Sequence, residues 1–160
     1  MRGSSKLDAE VRTRFKVLCV LCKGSFGSVH KVKRIVDGQH YALKQVDLQR
    51  RGRGRNHAED ALNEVRLLAS LHHPHIVKFH EAFIAGRSMH YLKLCIVMEY
   101  AGGGDLEKEI QKLKSRGEPM AKDRLWSIIH QVSSALMFLH GHGILHRDVK
   151  AANCFTTSAG

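Results

Sequence analysis

Residues 146–153 read His-Arg-Asp-Val-Lys-Ala-Ala-Asn, HRDVKAAN, and the rest of the chain is best understood from this run. It puts a carboxylate (Asp148), an ammonium two residues later (Lys150) and an amide five residues later (Asn153) on one short stretch. These groups suit three needs of phosphoryl transfer: an acceptor for a hydroxyl proton, a cation for a phosphate oxygen and an oxygen ligand for a hard metal ion. Transfer through a loose transition state depends on positioning more than on basicity, so a carboxylate of ordinary acidity suffices at Asp148.

Upstream of the loop, apolar side chains recur at 125, 128, 129, 132, 135, 136 and 139. This spacing predicts an amphipathic helix over 123–140, with Gly141 as its C-cap. Further back, residues 91–100 read as a strand that runs into MEYAGGGDL, a strand breaking into glycines before a helix that Asp105 caps. Residues 76–84 form another strand-like run, and 58–71 carry apolar residues at helical spacing up to His72-His73-Pro74. In YALKQVDL (41–48) the period of two puts Ala42, Lys44, Val46 and Leu48 on one face, so a lysine stands among apolar neighbours. A turn at Asp37-Gly38 precedes it. Residues 15–21 are a strand followed by CKGSFGSV, a hairpin whose Gly24 and Gly27, with Ser25 and Ser28, let backbone amides approach phosphate oxygens.

Composition limits the alternatives. With 43% hydrophobic and 26% charged residues, the 160-residue chain has the make-up of a globular domain. The net charge of +11 favours anionic partners. It is spread along the chain, and its one dense run, RRGRGR at 50–55, has no aromatic residue to stack bases, so it reads as a solvated loop and nucleic acid is not the expected partner. The amino terminus lacks the apolar core of a signal peptide and no stretch of eighteen apolar residues occurs. An intracellular, cytoplasmic protein off the membrane is expected. Cys19 and Cys22 form a Cys-x-x-Cys spacing without a second pair, and on a regular strand they point to opposite faces, which argues against shared zinc. The histidines at 72, 73 and 75 straddle a proline turn and lack the i, i+4 face of helical metal ligands, and those at 140, 142 and 146 span a helix end and a loop, so neither set reads as a metal site.

CKGSFGSV, YALK, NEVRLLASLHHPHIV, MEYAGGGDL and HRDVKAANCF, in this order, resemble the motifs of eukaryotic protein kinases and cover the chain from about Phe15 onward. Lys150 two residues after Asp148 resembles the serine/threonine type, and GGDLEKEI with Phe155 two after Asn153 resembles the NIMA-related kinases. The resemblance implies an α+β, protein-kinase-like fold: an antiparallel-sheet amino-terminal lobe with one regulatory helix (15–98), a hinge (99–105) and the first part of a helical lobe (106–160), after an extension (1–14). It implies ATP and Mg2+, a protein substrate with a serine or threonine acceptor, and surroundings that include cytoskeleton or nucleus. Asp148 would accept a hydrogen bond from the substrate hydroxyl, Lys150 would offset γ-phosphate charge, and Asn153 would hold the metal. Lys44 would grip the α and β phosphates and pair with Glu64. Leu21, Gly24, Ser25, Gly27 and Val29 would cover the nucleotide, and Ala42 would roof the base. Met98 would be the gatekeeper, the backbone of Glu99 and Ala101 would bond the adenine, Asp105 would lie near the ribose, and Phe155 would floor the base. Leu68 and Phe79 match the hydrophobic spine, and His146 the histidine that anchors the catalytic backbone.

Two departures carry expectations of their own. Cys22 occupies the first position of G-x-G-x-x-G-x-V, where the pattern has glycine. No Asp-Phe-Gly follows Asn153, so the chain is expected to correspond to the amino-terminal part of a kinase and to be inactive alone. The other reading is a non-catalytic module that binds nucleotide or a partner protein.

Overall fold

A computed structural model describes residues 9–24, 27–48, 57–86 and 92–157. The chain divides into two compact units, Met1–Leu71 with Lys78–Tyr100, and His72–Val77 with Ala101–Gly160. The basic run 50–55 and Ser25 lie outside the described residues.

The first unit is a five-stranded antiparallel sheet: β1 (Phe15–Gly24), β2 (Gly27–Arg34), β3 (His40–Asp47), β4 (Phe79–Ala85) and β5 (Lys93–Glu99), in the order β1-β2-β3-β5-β4. Alternating apolar residues give it two buried faces. On one, Phe15, Val32, Tyr41, Leu43, Ala85, Cys95 and Val97 pack around Val11 of a short helix, α1 (Ala9–Arg14). Residues Ala9–Arg14 therefore ride on the sheet. Arg14 pairs with Glu81 and places its guanidinium 4.3 Å from the centre of the Phe83 ring. On the other face Val46, Leu94 and Ile96 pack with Val65 and Leu68 of helix α2 (His57–Ser70) and with Phe79 and Met98. Full burial of side chains such as Leu43 and Ile96 contributes about 1.5–3 kcal/mol each. The expected α+β arrangement, an antiparallel sheet with a helix (α2) on one face, is found, and the short α1 on the other face is an addition to it. The strand expected over 76–84 begins later, at Phe79, because the chain turns after Pro74 and Ile76 N–H bonds the His73 carbonyl at 3.1 Å.

The second unit contains β6 (Gly104–Asp105), α3 (Leu106–Arg116), α4 (Lys122–Gly141), a 3-10 turn (Ala151–Asn153) and β7 (Phe155–Thr156), with β6 and β7 paired. A two-pronged ion pair from Arg124 to Glu109, at 3.1 and 3.0 Å, ties α4 to α3. One expectation is corrected here: Gly141 does not cap α4. It is the last helical residue, and the left-handed position falls on Gly143 (φ 71). The bonds from Gly143 N–H to His140 O (2.9 Å) and Ile144 N–H to Leu139 O (2.9 Å) then close a Schellman motif. Helix α4 buries Ala135 and Leu139 while Leu125, Trp126, Ile129 and Met137 stay exposed. Among the described residues no helix is long and apolar enough to cross a membrane.

Candidate functional site

Directly paired residues of antiparallel strands share a face. The register therefore lays two neighbouring rows on one side of the sheet, Cys22–Val29–Lys44–Ile96 and Cys19–Lys31–Ala42–Met98. This is the face on which α2 packs, through Val65 and Leu68. It gathers Val29, Ala42, Lys44 and Met98, which the sequence had marked separately. Ala42 is buried and Lys44 half-buried. Glu64 lies on α2, and its side chain falls outside the described residues.

The register also corrects the reading of Cys19 and Cys22. Irregularities between Val17 and Cys19, and between Val20 and Cys22, insert Leu18 and Leu21 as extra residues. Two extra residues shift the alternation, so both cysteines pair with residues of the same face, Lys31 and Val29. Both thiols are free and exposed, and among the described residues no group of three or more histidine, cysteine or acidic side chains is placed to hold a metal ion. Leu21 is exposed beside them.

The two glycines at the hairpin differ. At Gly27 (φ 140) a Cβ would lie 1.9 Å from the Gln45 carbonyl oxygen, so the close approach of β2 to β3 is itself sufficient reason for glycine there. At Gly24 a Cβ would meet nothing within 4 Å. Among the described residues no packing demand explains that glycine.

At the end of β5, Glu99 N–H donates to the Lys78 carbonyl (2.8 Å), and Lys78 N–H donates to the Glu99 carboxylate (3.2 Å). The next residue, Tyr100, has its ring under the Lys31 ammonium, 4.3 Å from the centroid. Neither contact is legible in the order of residues. The one hint was a lysine at 31 on the same strand face as Val29.

In the second unit, Asp105 caps α3 by accepting from Lys108 N–H at 2.9 Å, and its other oxygen meets Lys108 Nζ at 2.6 Å. These bonds hold its carboxyl below the usual range. Asp105 pairs with Phe155 across β6 and β7, which brings together two expected site residues fifty positions apart. Leu106 N–H donates to the Cys154 carbonyl at 2.9 Å, so the start of α3 is fastened to the strand that follows the loop. Ala101 begins the longer of the two segments that make up this unit.

The loop itself is built around Asp148. Lys150 Nζ stands 3.0 Å from Oδ1, and Asn153 Nδ2 donates to Oδ2 and to the Asp148 backbone carbonyl, both at 2.8 Å. The Lys150 ammonium first, and then the Asn153 amide, hold the carboxyl of Asp148 below its ordinary pKa, and the side chain is exposed. Arg147 adopts φ 62, a left-handed conformation that carries about 1–3 kcal/mol of strain for a non-glycine residue. Asp148 N–H then donates to His146 Nδ1 at 3.3 Å, the backbone anchoring expected of His146. Strain kept in a loop of polar, exposed groups is the pattern of a functional site.

Residues 15–160 match the sequence profile of the protein kinase domain. Mouse serine/threonine-protein kinase Nek1 is 36% identical over 138 residues, 86% of this chain and 11% of its own length. Mouse Nek4 is 37% identical over 139 residues, covering 86% of this chain and 16% of its own. Wee1-like protein kinase 2-B of Xenopus laevis is 32% identical over 152 residues, 94% of this chain and 26% of its own. The chain thus spans between about a tenth and about a third of the length of the curated relatives it matches.

Proposed function

We propose that this chain, which belongs to the protein kinase domain family, binds ATP and carries the groups that position a serine or threonine hydroxyl of a protein to receive the γ-phosphate. The arrangement around Asp148 carries the reading. Its two carboxylate oxygens face different partners, Lys150 and Asn153, so the group is ionised and cannot rotate freely. A loose transition state asks for that fixed orientation. Asp148 accepts the hydrogen bond of the acceptor hydroxyl and aims its lone pair, and Lys150 offsets charge on the γ-phosphate.

Asn153 is the residue to hold a divalent ion, in our reading Mg2+. Its Nδ2 is turned inward onto Asp148, so Oδ1 is the atom a hard cation would take. Such an ion, when bound, would offset the negative charge of the phosphates. On the sheet, Lys44 holds the α and β phosphates with Glu64 as its acid, and the open space at Gly24 admits the phosphates. Leu21, Ser25, Gly27, Val29 and Ala42 cover the nucleotide, behind which Met98 stands as gatekeeper. The Glu99 carbonyl and the Ala101 backbone take the adenine edge, while Asp105 and Phe155 keep the ribose and base roles that the family resemblance gives them. The capping bonds of Asp105 explain its presence in the fold without any ligand.

Calorimetric titration of the purified chain with MgATP tests the reading. Lys44→Ala should weaken binding about tenfold or more, the loss of a charge-assisted contact. Equal affinity in parent and variant would remove Lys44 from the site, and a parent that binds no ATP would overturn the proposal.

A further inference from the structure

We infer that Lys31 and Tyr100 form a clamp that positions the backbone receiving the adenine, a role that rests on the nucleotide-binding reading above. Lys31 lies on β2 and Tyr100 directly after β5, and in the sheet β3 runs between these two strands. The ammonium nevertheless lies 4.3 Å from the centre of the Tyr100 ring, so this one contact spans a whole intervening strand. Beneath it runs the row Lys31–Ala42–Met98, whose middle member carries only a methyl group.

The same segment is fastened on its other side. Glu99 exchanges two hydrogen bonds with Lys78, one through its N–H and one through its carboxylate. The residues from Glu99 to Tyr100 are therefore held between the chain entering β4 and the lysine of β2. A cation over an aromatic ring is stronger when both are partly withdrawn from water, and Lys31 and Tyr100 are each half-buried. If the Glu99 carbonyl and the adjoining backbone receive the adenine edge, the clamp sets their height above the sheet. The triphosphate, which the Lys44 end of the face would hold, is untouched.

The plainer alternative is that Lys31 lays its stem over apolar neighbours and keeps its charge in water, with the ring beside it by chance. Methionine separates the two, because it keeps the stem and loses the charge. The experiment titrates the chain with MgATP and with inorganic tripolyphosphate, for the parent, Lys31→Met, Lys31→Arg, Tyr100→Leu, Tyr100→Phe and the double variant Lys31→Met/Tyr100→Leu.

Lys31→Met and Tyr100→Leu should each weaken ATP binding about three- to tenfold. Arginine at 31 and phenylalanine at 100 should restore it, and the double variant should lose no more than either single change. Tripolyphosphate affinity should not move. ATP binding unchanged in Lys31→Met, or losses that add in the double variant, would overturn the clamp and leave the site standing. A fall in tripolyphosphate affinity would also overturn it, by making Lys31 a phosphate ligand. A parent that binds no ATP would overturn both the clamp and the site.

Discussion

Asp148 sits on an exposed loop, yet both of its oxygens are engaged. The consequence is a carboxyl held below its ordinary pKa, with Lys150 as the larger cause and Asn153 as the smaller. Replacing Lys150 by methionine should therefore move the Asp148 titration upward, toward the ordinary value for aspartate, and Asn153→Ala should move it the same way by less. Carboxyl 13C NMR of the labelled chain reads this directly. No movement in Lys150→Met would mean that the pair does not persist in solution. The sequence marked Asp148, Lys150 and Asn153 as site residues by type and spacing, but not that Lys150 and Asn153 would bind the Asp148 carboxylate itself. It did not predict that Arg147 would take a left-handed backbone, because a single residue's φ depends on the bonds that the loop makes around it.

The hairpin of β1 and β2 separates two reasons for glycine. Gly27→Ala drives a Cβ into the Gln45 carbonyl and should cost about 2 kcal/mol or more of unfolding free energy. Gly24→Ala meets open space, so its stability should stay within about 1 kcal/mol of the parent while ATP affinity falls. Urea unfolding and ATP titration of both variants check this. Equal destabilisation at the two positions would mean that Gly24 also answers a packing demand. At the far end of α4, Gly143→Ala should destabilise the chain by about 1 kcal/mol and Gly141→Ala should not, the reverse of what the apolar periodicity suggested. Periodicity fails there because the helix continues until its carbonyls find other donors, and those donors are the N–H groups of His142, Gly143 and Ile144. The same kind of limit applied to Cys19 and Cys22. Two bulges are a property of strand pairing, and alternation counted along one strand cannot register them.

At the scale of the molecule, the buried His30 links stability to pH. His30 is 1% exposed; its Nε2 bonds Ser28 Oγ at 2.8 Å and its Nδ1 has no partner. Burial first, and then the charges of Lys23 and Lys93, hold its pKa below the ordinary histidine value of 6.5. Below pH 6.5 the unfolded chain takes up a proton that the folded chain refuses, so this contribution to stability is present above pH 6.5 and declines as pH falls toward the lowered value. His80, shifted the same way by burial, adds to the effect. The urea midpoint should fall between pH 7.5 and 5.5, and His30→Leu should flatten that slope. A slope unchanged in the variant would exclude His30 as a source. The only tryptophan, Trp126, is 67% exposed on α4 next to Leu125 and Ile129. Its fluorescence in the free chain should be quenched by iodide almost as readily as that of a small peptide, and a shielded, blue-shifted emission would show that this apolar face is covered.

Motif order and residue chemistry carried much of the reading from the chain alone: the kinase domain, the antiparallel sheet with its helix, and Lys44, Asp148, Lys150 and Asn153 as candidates. These are legible because each depends on side-chain type at short spacing, which the chain states outright. Folding was needed to bring Asp105 opposite Phe155, to seat Lys31 over Tyr100, to turn both cysteines to one face and to explain Gly27 by the Gln45 backbone. Each of these is a meeting of residues distant along the chain or a shift of strand register. Such meetings are set by how elements pair and pack in space, and residue order holds no direct trace of them.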